Sequence, residues 1–169
     1  EGITYRFDSA LRVGTLDDAK AFHAALVPAT SDPTIEKMLA WDRYSLIGGV
    51  QVAERFVAAE IARAEKKYDE AIAALNTAVT IEDTLPYDEP PAWNWPSRLA
   101  LRNVLLQAGK AAEAEQVFRD ELTRNPENGW SLHGLARALK AQGKKQEAAE
   151  AAERFAKAWA NADVDLGEI

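Results

Sequence analysis

Side chains able to do chemistry are sparse along these 169 residues. Cysteine is absent, which excludes disulfides, thiolate metal sites and a cysteine nucleophile. The two histidines, His23 and His133, lie far apart, and neither has a ligand-type residue four positions away, so no metal site is expected. Adjacent acids at Asp17-Asp18 and Asp88-Glu89 read as carboxylates that complement the positive ends of helices. Ser131 and His133 are close in sequence but face different ways on a helix, so they make no nucleophile and base. Gly48-Gly49 is not framed by the further glycines and lysine of a phosphate loop, and reads as a bend or a close packing point. Neither catalysis nor a cofactor is expected.

Recognition chemistry is better represented. Trp130, His133, Arg137 and Lys140 follow at steps of 3, 4 and 3, which places them on one helical stripe, apolar at one end and basic at the other. Leu99, Asn103 and Gln107 follow at the similar steps of 4 and 4 on the first helix of the preceding pair, and Glu60 and Arg63 come from an earlier unit. Arg137, Lys140 and Asn103 suit charge-assisted hydrogen bonds to a carboxylate-bearing peptide. Between helices runs Leu85-Pro-Tyr-Asp-Glu-Pro-Pro-Ala-Trp-Asn-Trp-Pro96, whose prolines forbid helix through most of its length. Two readings stand for it: Trp93 and Trp95 plug a gap, or Tyr87, Asp88, Glu89, Trp93 and Trp95 form one wall of a groove. The expected working surface is Arg98, Asn103, Trp130, His133 and Arg137, with Tyr87, Glu89 and Trp93 beside it. The competing structural account pairs Arg98 with Asp88 or Glu89 and packs the tryptophans inside.

The elements that must hold these residues repeat. Gly109 and Gly143 are 34 residues apart, and so are Ala114 and Ala148. Around them run Leu101, Leu105, Phe118 and Pro126, then Leu135, Ala136 and Leu139. This skeleton resembles the tetratricopeptide repeat, whose unit is two antiparallel helices joined by a tight turn. Three positions depart from the family's pattern: Arg102 where it prefers glycine, Glu121 where it prefers alanine, and Ala152 where it prefers an aromatic. Fainter units lie at Lys67-Tyr68-Asp69-Glu70-Ala71-Ile72, with a first helix over about 45 to 64, and at Gly14-Thr-Leu-Asp-Asp-Ala19. The expectation is an all-α fold, an α-α superhelix of about three to four antiparallel helix pairs, with units near 3–30, 50–83, 96–126 and 130–160. One helix pair cannot bury its apolar stripe alone, so pairs stack. The segment from Ser31 to Gly49 is expected to extend a helix against the array, and no sheet is expected.

Tyr87-Asp-Glu-Pro-Pro91, Arg124-Asn-Pro126 and Asn128-Gly-Trp-Ser-Leu132 further resemble the C-terminal section of a group of bacterial tetratricopeptide proteins. That resemblance implies a bacterial source and a longer parent protein, and an opening Glu1-Gly2-Ile3 without methionine likewise reads as part of a longer protein. In the wider family the first helix of each pair lines the concave surface, which implies a protein- or peptide-binding scaffold. The alternatives are a small-molecule or anion pocket under the aromatic insertion, or a regulatory module of a larger enzyme. The family's clamp for C-terminal carboxylates keeps only Asn103, since Phe56, Ala100, Trp130 and Gly134 occupy its other places.

Composition fits an interaction module. Lys plus Arg number 20 against 27 Asp plus Glu, for a net charge of −7, which opposes a nucleic-acid partner. No apolar run approaches the roughly 20 residues that span a bilayer. Phe155 and Trp159 form an i, i+4 aromatic pair on the final helix, expected to be covered by Val164, Leu166 or Ile169 of the tail, or by a second copy in a homodimer through the terminal helices.

Overall fold

Alanine-rich segments with one apolar stripe per helix leave little choice but to pair, because each stripe must find a partner to leave water. The computed structural model describes residues 15–40, 42–87, 93, 95–163 and 166. Helix accounts for 74% of them. The chain divides into two compact units, Glu1–Ser97 and Arg98–Ile169.

In the first unit, α1 (Leu16–Leu26) leads through a 3-10 turn (Val27–Ser31) to the short α2 (Pro33–Lys37). Two short strands follow, β1 (Leu39–Ala40) and β2 (Tyr44–Ser45), then α3 (Ile47–Ala64) and α4 (Tyr68–Glu82). Thr15 and Asp18 close a capping box at the start of α1, with the Thr15 N–H donating to the Asp18 carboxylate at 2.8 Å. The acid at position 18 therefore works as a cap. Helix α3 packs along α4 and against α1, with Val52, Val57, Ala59, Ala71, Leu75 and Ala78 essentially inaccessible. The small alanines bring the helix axes close, and burying a side chain such as Leu75 contributes about 2 kcal/mol. Gly48 sits in the first turn of α3, where a Cβ would come within 2.6 Å of Leu85 Cδ2. It is the close packing point that the paired glycines suggested.

Two expectations fail between 31 and 45. Asp32 caps α2 through the Thr34 N–H at 2.7 Å, but Met38 turns extended (ψ 123°) and ends that helix after five residues. The chain then forms a small antiparallel ladder, Leu39 opposite Ser45 and Ala40 opposite Tyr44, around a turn with Asp42 at φ 55°. A sheet of two-residue strands thus stands where a helical extension and no sheet were expected.

The second unit holds α5 (Ser97–Gln107, whose first residue closes the first unit), α6 (Ala111–Arg124), α7 (Gly129–Ala141) and α8 (Lys145–Ala158). Three helix hairpins across the chain share one turn geometry. The N–H groups of Lys67, Lys110 and Lys144 donate back to the carbonyls of Ala62, Leu105 and Leu139, at 2.8, 2.9 and 3.0 Å. The residue before each lysine is left-handed: Lys66 at φ 61°, Gly109 and Gly143 at φ 74°. These are Schellman ends, and glycine enters them without the steric penalty that a Cβ carries. Lys66 takes the same conformation with a side chain.

Candidate functional site

The α5–α8 unit is organised around two sequence positions that break the repeat's pattern. Arg102 and Glu121 replace a glycine and an alanine, and both side chains are buried, at 4% and 5% exposure. The guanidinium lies over the Phe118 ring, 4.9 Å from its centroid, and its Nη1 donates to Ser131 Oγ at 2.7 Å. Burial pulls the Arg102 pKa down to about 10, and the Glu121 charge opposes that fall. The Glu121 carboxylate accepts a hydrogen bond from Asn125 Nδ2 at 2.8 Å. The two departures carry opposite charges, and each favours the other across the place where two small residues would meet. Gly134 lets the Phe118 ring approach so closely that a Cβ would come within 2.0 Å of its Cζ. Because Arg102 bonds Ser131, α5 and α7 are neighbours.

Helix α7 is thereby held on nearly all sides. From Ser131 to Ala136 every residue is buried, and only Trp130, Arg137, Lys140 and Ala141 are exposed. His133 does not share that exposure: it is buried at 7%, with its ring 5.1 Å from Phe155. Trp130 remains 49% exposed and sets one edge against Trp159, with centroids 5.2 Å apart. Phe155 and Trp159 stack at 5.8 Å, so the aromatic pair on α8 turns toward α7 within its own helix pair. Both rings are half-buried there. Of the tail residues named for that cover, Val164 and Ile169 lie outside the described residues, and Leu166 is half-buried. Gly129 is required here, since a Cβ on it would run into the Trp159 ring.

The other expected site residues distribute as follows. Asn103 is exposed on α5 and Arg98 is half-buried near that helix's start. Arg137 is exposed and, among the described residues, makes no hydrogen bond or ion pair. Tyr87 and Trp93 belong to the first unit. Tyr87 is 80% exposed, whereas Trp93 packs on the cluster of Leu26, Ala53 and Val57, with its ring 5.9 Å from Phe56. Trp93 therefore plugs the first unit's core, and Trp95 is exposed. Glu89, with Asp88, lies outside the described residues.

Charge around the second unit's outer helices is closely paired. Glu115, buried between them, accepts from Lys144 at 2.7 Å, Arg119 at 2.8 Å and Gln142 at 2.8 Å. Lys144 above all, then Arg119 and Gln142, hold its carboxyl down at about 2 against the opposing effect of burial. Arg119 also reaches Glu147 at 2.7 Å, and Arg154 reaches Glu127 at 2.6 Å. Nothing in the sequence pattern pointed to Glu115, whose spacing to Arg119 is that of any helix-surface pair. Among the described residues no three His, Cys, Asp or Glu side chains cluster as metal ligands would, and no helix is long and apolar enough to cross a membrane.

No protein-family model and no curated protein matches the chain. A solved structure does: the crystal structure of MamA protein, over 98% of this chain and 96% of that one, with a TM-score of 0.52 and 13% sequence identity. The fold is tetratricopeptide-like. At that identity the likeness establishes architecture and carries no activity across.

Proposed function

We propose that this chain is a protein- or peptide-binding scaffold and not an enzyme, and that the partner lies along the exposed side of α5 and α7. The observation that carries this reading is what those two neighbouring helices leave exposed: Asn103 and Gln107 on α5, and Trp130, Arg137, Lys140 and Ala141 on α7. Side-chain amides, one half-exposed indole and two cations are groups that grip a backbone, an apolar side chain and a carboxylate. The tetratricopeptide-like fold supports a protein partner, because its stacked helix pairs leave extended surfaces that suit a chain more than a small molecule. The resemblance of the Tyr-Asp-Glu-Pro-Pro and Asn-Gly-Trp-Ser-Leu strings to bacterial tetratricopeptide proteins supports a bacterial source.

A displayed random-peptide library panned on the whole chain tests the reading. Enriched peptides are expected, with affinities that fall about tenfold in Arg137→Ala and in Asn103→Ala, the loss of one good polar contact each. The melting temperature should stay unchanged in both variants, since both side chains are exposed. Enrichment of no peptide, or binding indifferent to both substitutions, overturns it.

A further inference from the structure

Charge in the second unit is segregated by helix. Neither α5 (SRLALRNVLLQ) nor α7 (GWSLHGLARALKA) contains an acidic residue, although the whole chain carries a net charge of −7. The acids of this four-helix unit's helical segments all fall on α6 and α8. There they sit among cations that are already engaged: Arg119 with Glu115 and Glu147, Lys157 with Glu153, and Arg154 with Glu127 just before α7. On α7, by contrast, Arg137 is exposed and makes no such pair among the described residues. A chain rich in carboxylates has thus kept them off the one pair of helices whose solvent side is amide, indole and cation.

We propose that this stripe takes an extended acidic peptide segment of a partner protein, an inference that rests on the peptide-binding reading above and adds the partner's chemistry. The carboxylates meet Arg137 and Lys140, the backbone meets the amides of Asn103 and Gln107, and one apolar side chain lies on the exposed part of Trp130. Arginine favours this role because its planar fork matches a carboxylate bidentately. The spacing sets a register. Trp130 and Arg137 are seven residues apart on one helix, roughly 10 Å along its axis at about 1.5 Å per residue. An extended chain covers that distance in about three residues at roughly 3.3 Å each. Lys140 lies one further residue or two along the ligand. The segment that fits carries an apolar residue and, three to five positions away, two Asp or Glu.

Two fluorescein-labelled peptides of equal length test this by anisotropy on the whole chain. One carries a phenylalanine followed, after two serines, by two glutamates; the other has glutamines in their place. At low salt the glutamate peptide is expected to bind at least about tenfold more tightly, and the advantage should shrink as salt rises from roughly 50 to 500 mM. Arg137→Glu, a change at an exposed side chain, should abolish the advantage while leaving the circular dichroism spectrum unchanged. Equal affinities for the two peptides would overturn the acidic preference and leave the peptide-binding reading standing. An advantage that survives Arg137→Glu would overturn the site. Binding of neither peptide would overturn this inference alone, since the library selection judges the broader reading.

Discussion

Replacing Glu121 by alanine restores the repeat's usual residue at that position and yet should destabilise the fold. The reason lies in Arg102. Burial pulls its pKa down to about 10 even with the Glu121 charge opposing the fall, a net cost to the charged form of roughly 3 kcal/mol. Without that opposing charge the cost would be larger, and the bond to Ser131 and the face of Phe118 are what else holds the cation. Removing only Glu121 leaves the buried cation with a hydroxyl and a ring, a loss of about 2 kcal/mol. Arg102→Met alone strands a buried carboxylate on Asn125 and should also cost, by about 1–3 kcal/mol. The double variant Arg102→Met, Glu121→Ala removes both charges and should return to within about 1 kcal/mol of the parent, a coupling of roughly 2–4 kcal/mol. Urea titrations followed by tryptophan fluorescence, to which Trp130 and Trp159 of this unit contribute, measure the cycle. Additive effects, or a harmless Glu121→Ala, would refute the claim that the two departures form one compensating pair.

Further outcomes follow from the same geometry. Lys66 holds a left-handed conformation that glycine occupies in the two later hairpins, so Lys66→Gly should stabilise by about 0.5–1 kcal/mol, while Gly109→Val should destabilise by about 1 kcal/mol or more; denaturation midpoints decide both. Gly134→Ala places a methyl inside the space of the Phe118 ring and should cost about 1–3 kcal/mol, readable as a lower melting temperature. Glu115 has its folded carboxyl at about 2 against an ordinary 4.5, so its contribution is full above about pH 5 and is lost as the pH falls from 4.5 toward 2. Glu115→Gln should therefore flatten the acid limb of the stability profile, and an unchanged limb would remove Lys144 and Arg119 from that role.

Much of this was legible in the sequence, for physical reasons that also explain the failures. Gly109 and Gly143 advertise left-handed turns because few other residues adopt them cheaply, and the 34-residue spacing then fixes the helix pairs between. The corresponding turn at Lys66 is silent in composition, since a lysine does not advertise the left-handed conformation it adopts there. The ladder at 39–45 is too short to show a period of two, and the proline at 33 reads equally well as a helix start. For the site, a step of 3 or 4 places His133 near Trp130 and Arg137 on the helix, but says nothing of which flank the next helix covers. Phe155 covers the flank at His133, so the stripe narrows to Trp130, Arg137 and Lys140. Arg102 and Glu121 were visible as departures, and only their common burial shows why they depart together.

A peptide enriched on the whole chain, titrated into the 15N-labelled protein, gives the most direct measurement of whether α5 and α7 are the binding face. The expected perturbations concentrate on the side-chain amides of Asn103 and Gln107, the Trp130 indole N–H and the backbone around Arg137. Shifts confined to α6, α8 or the first unit, with those four positions unmoved, would contradict the proposed binding face.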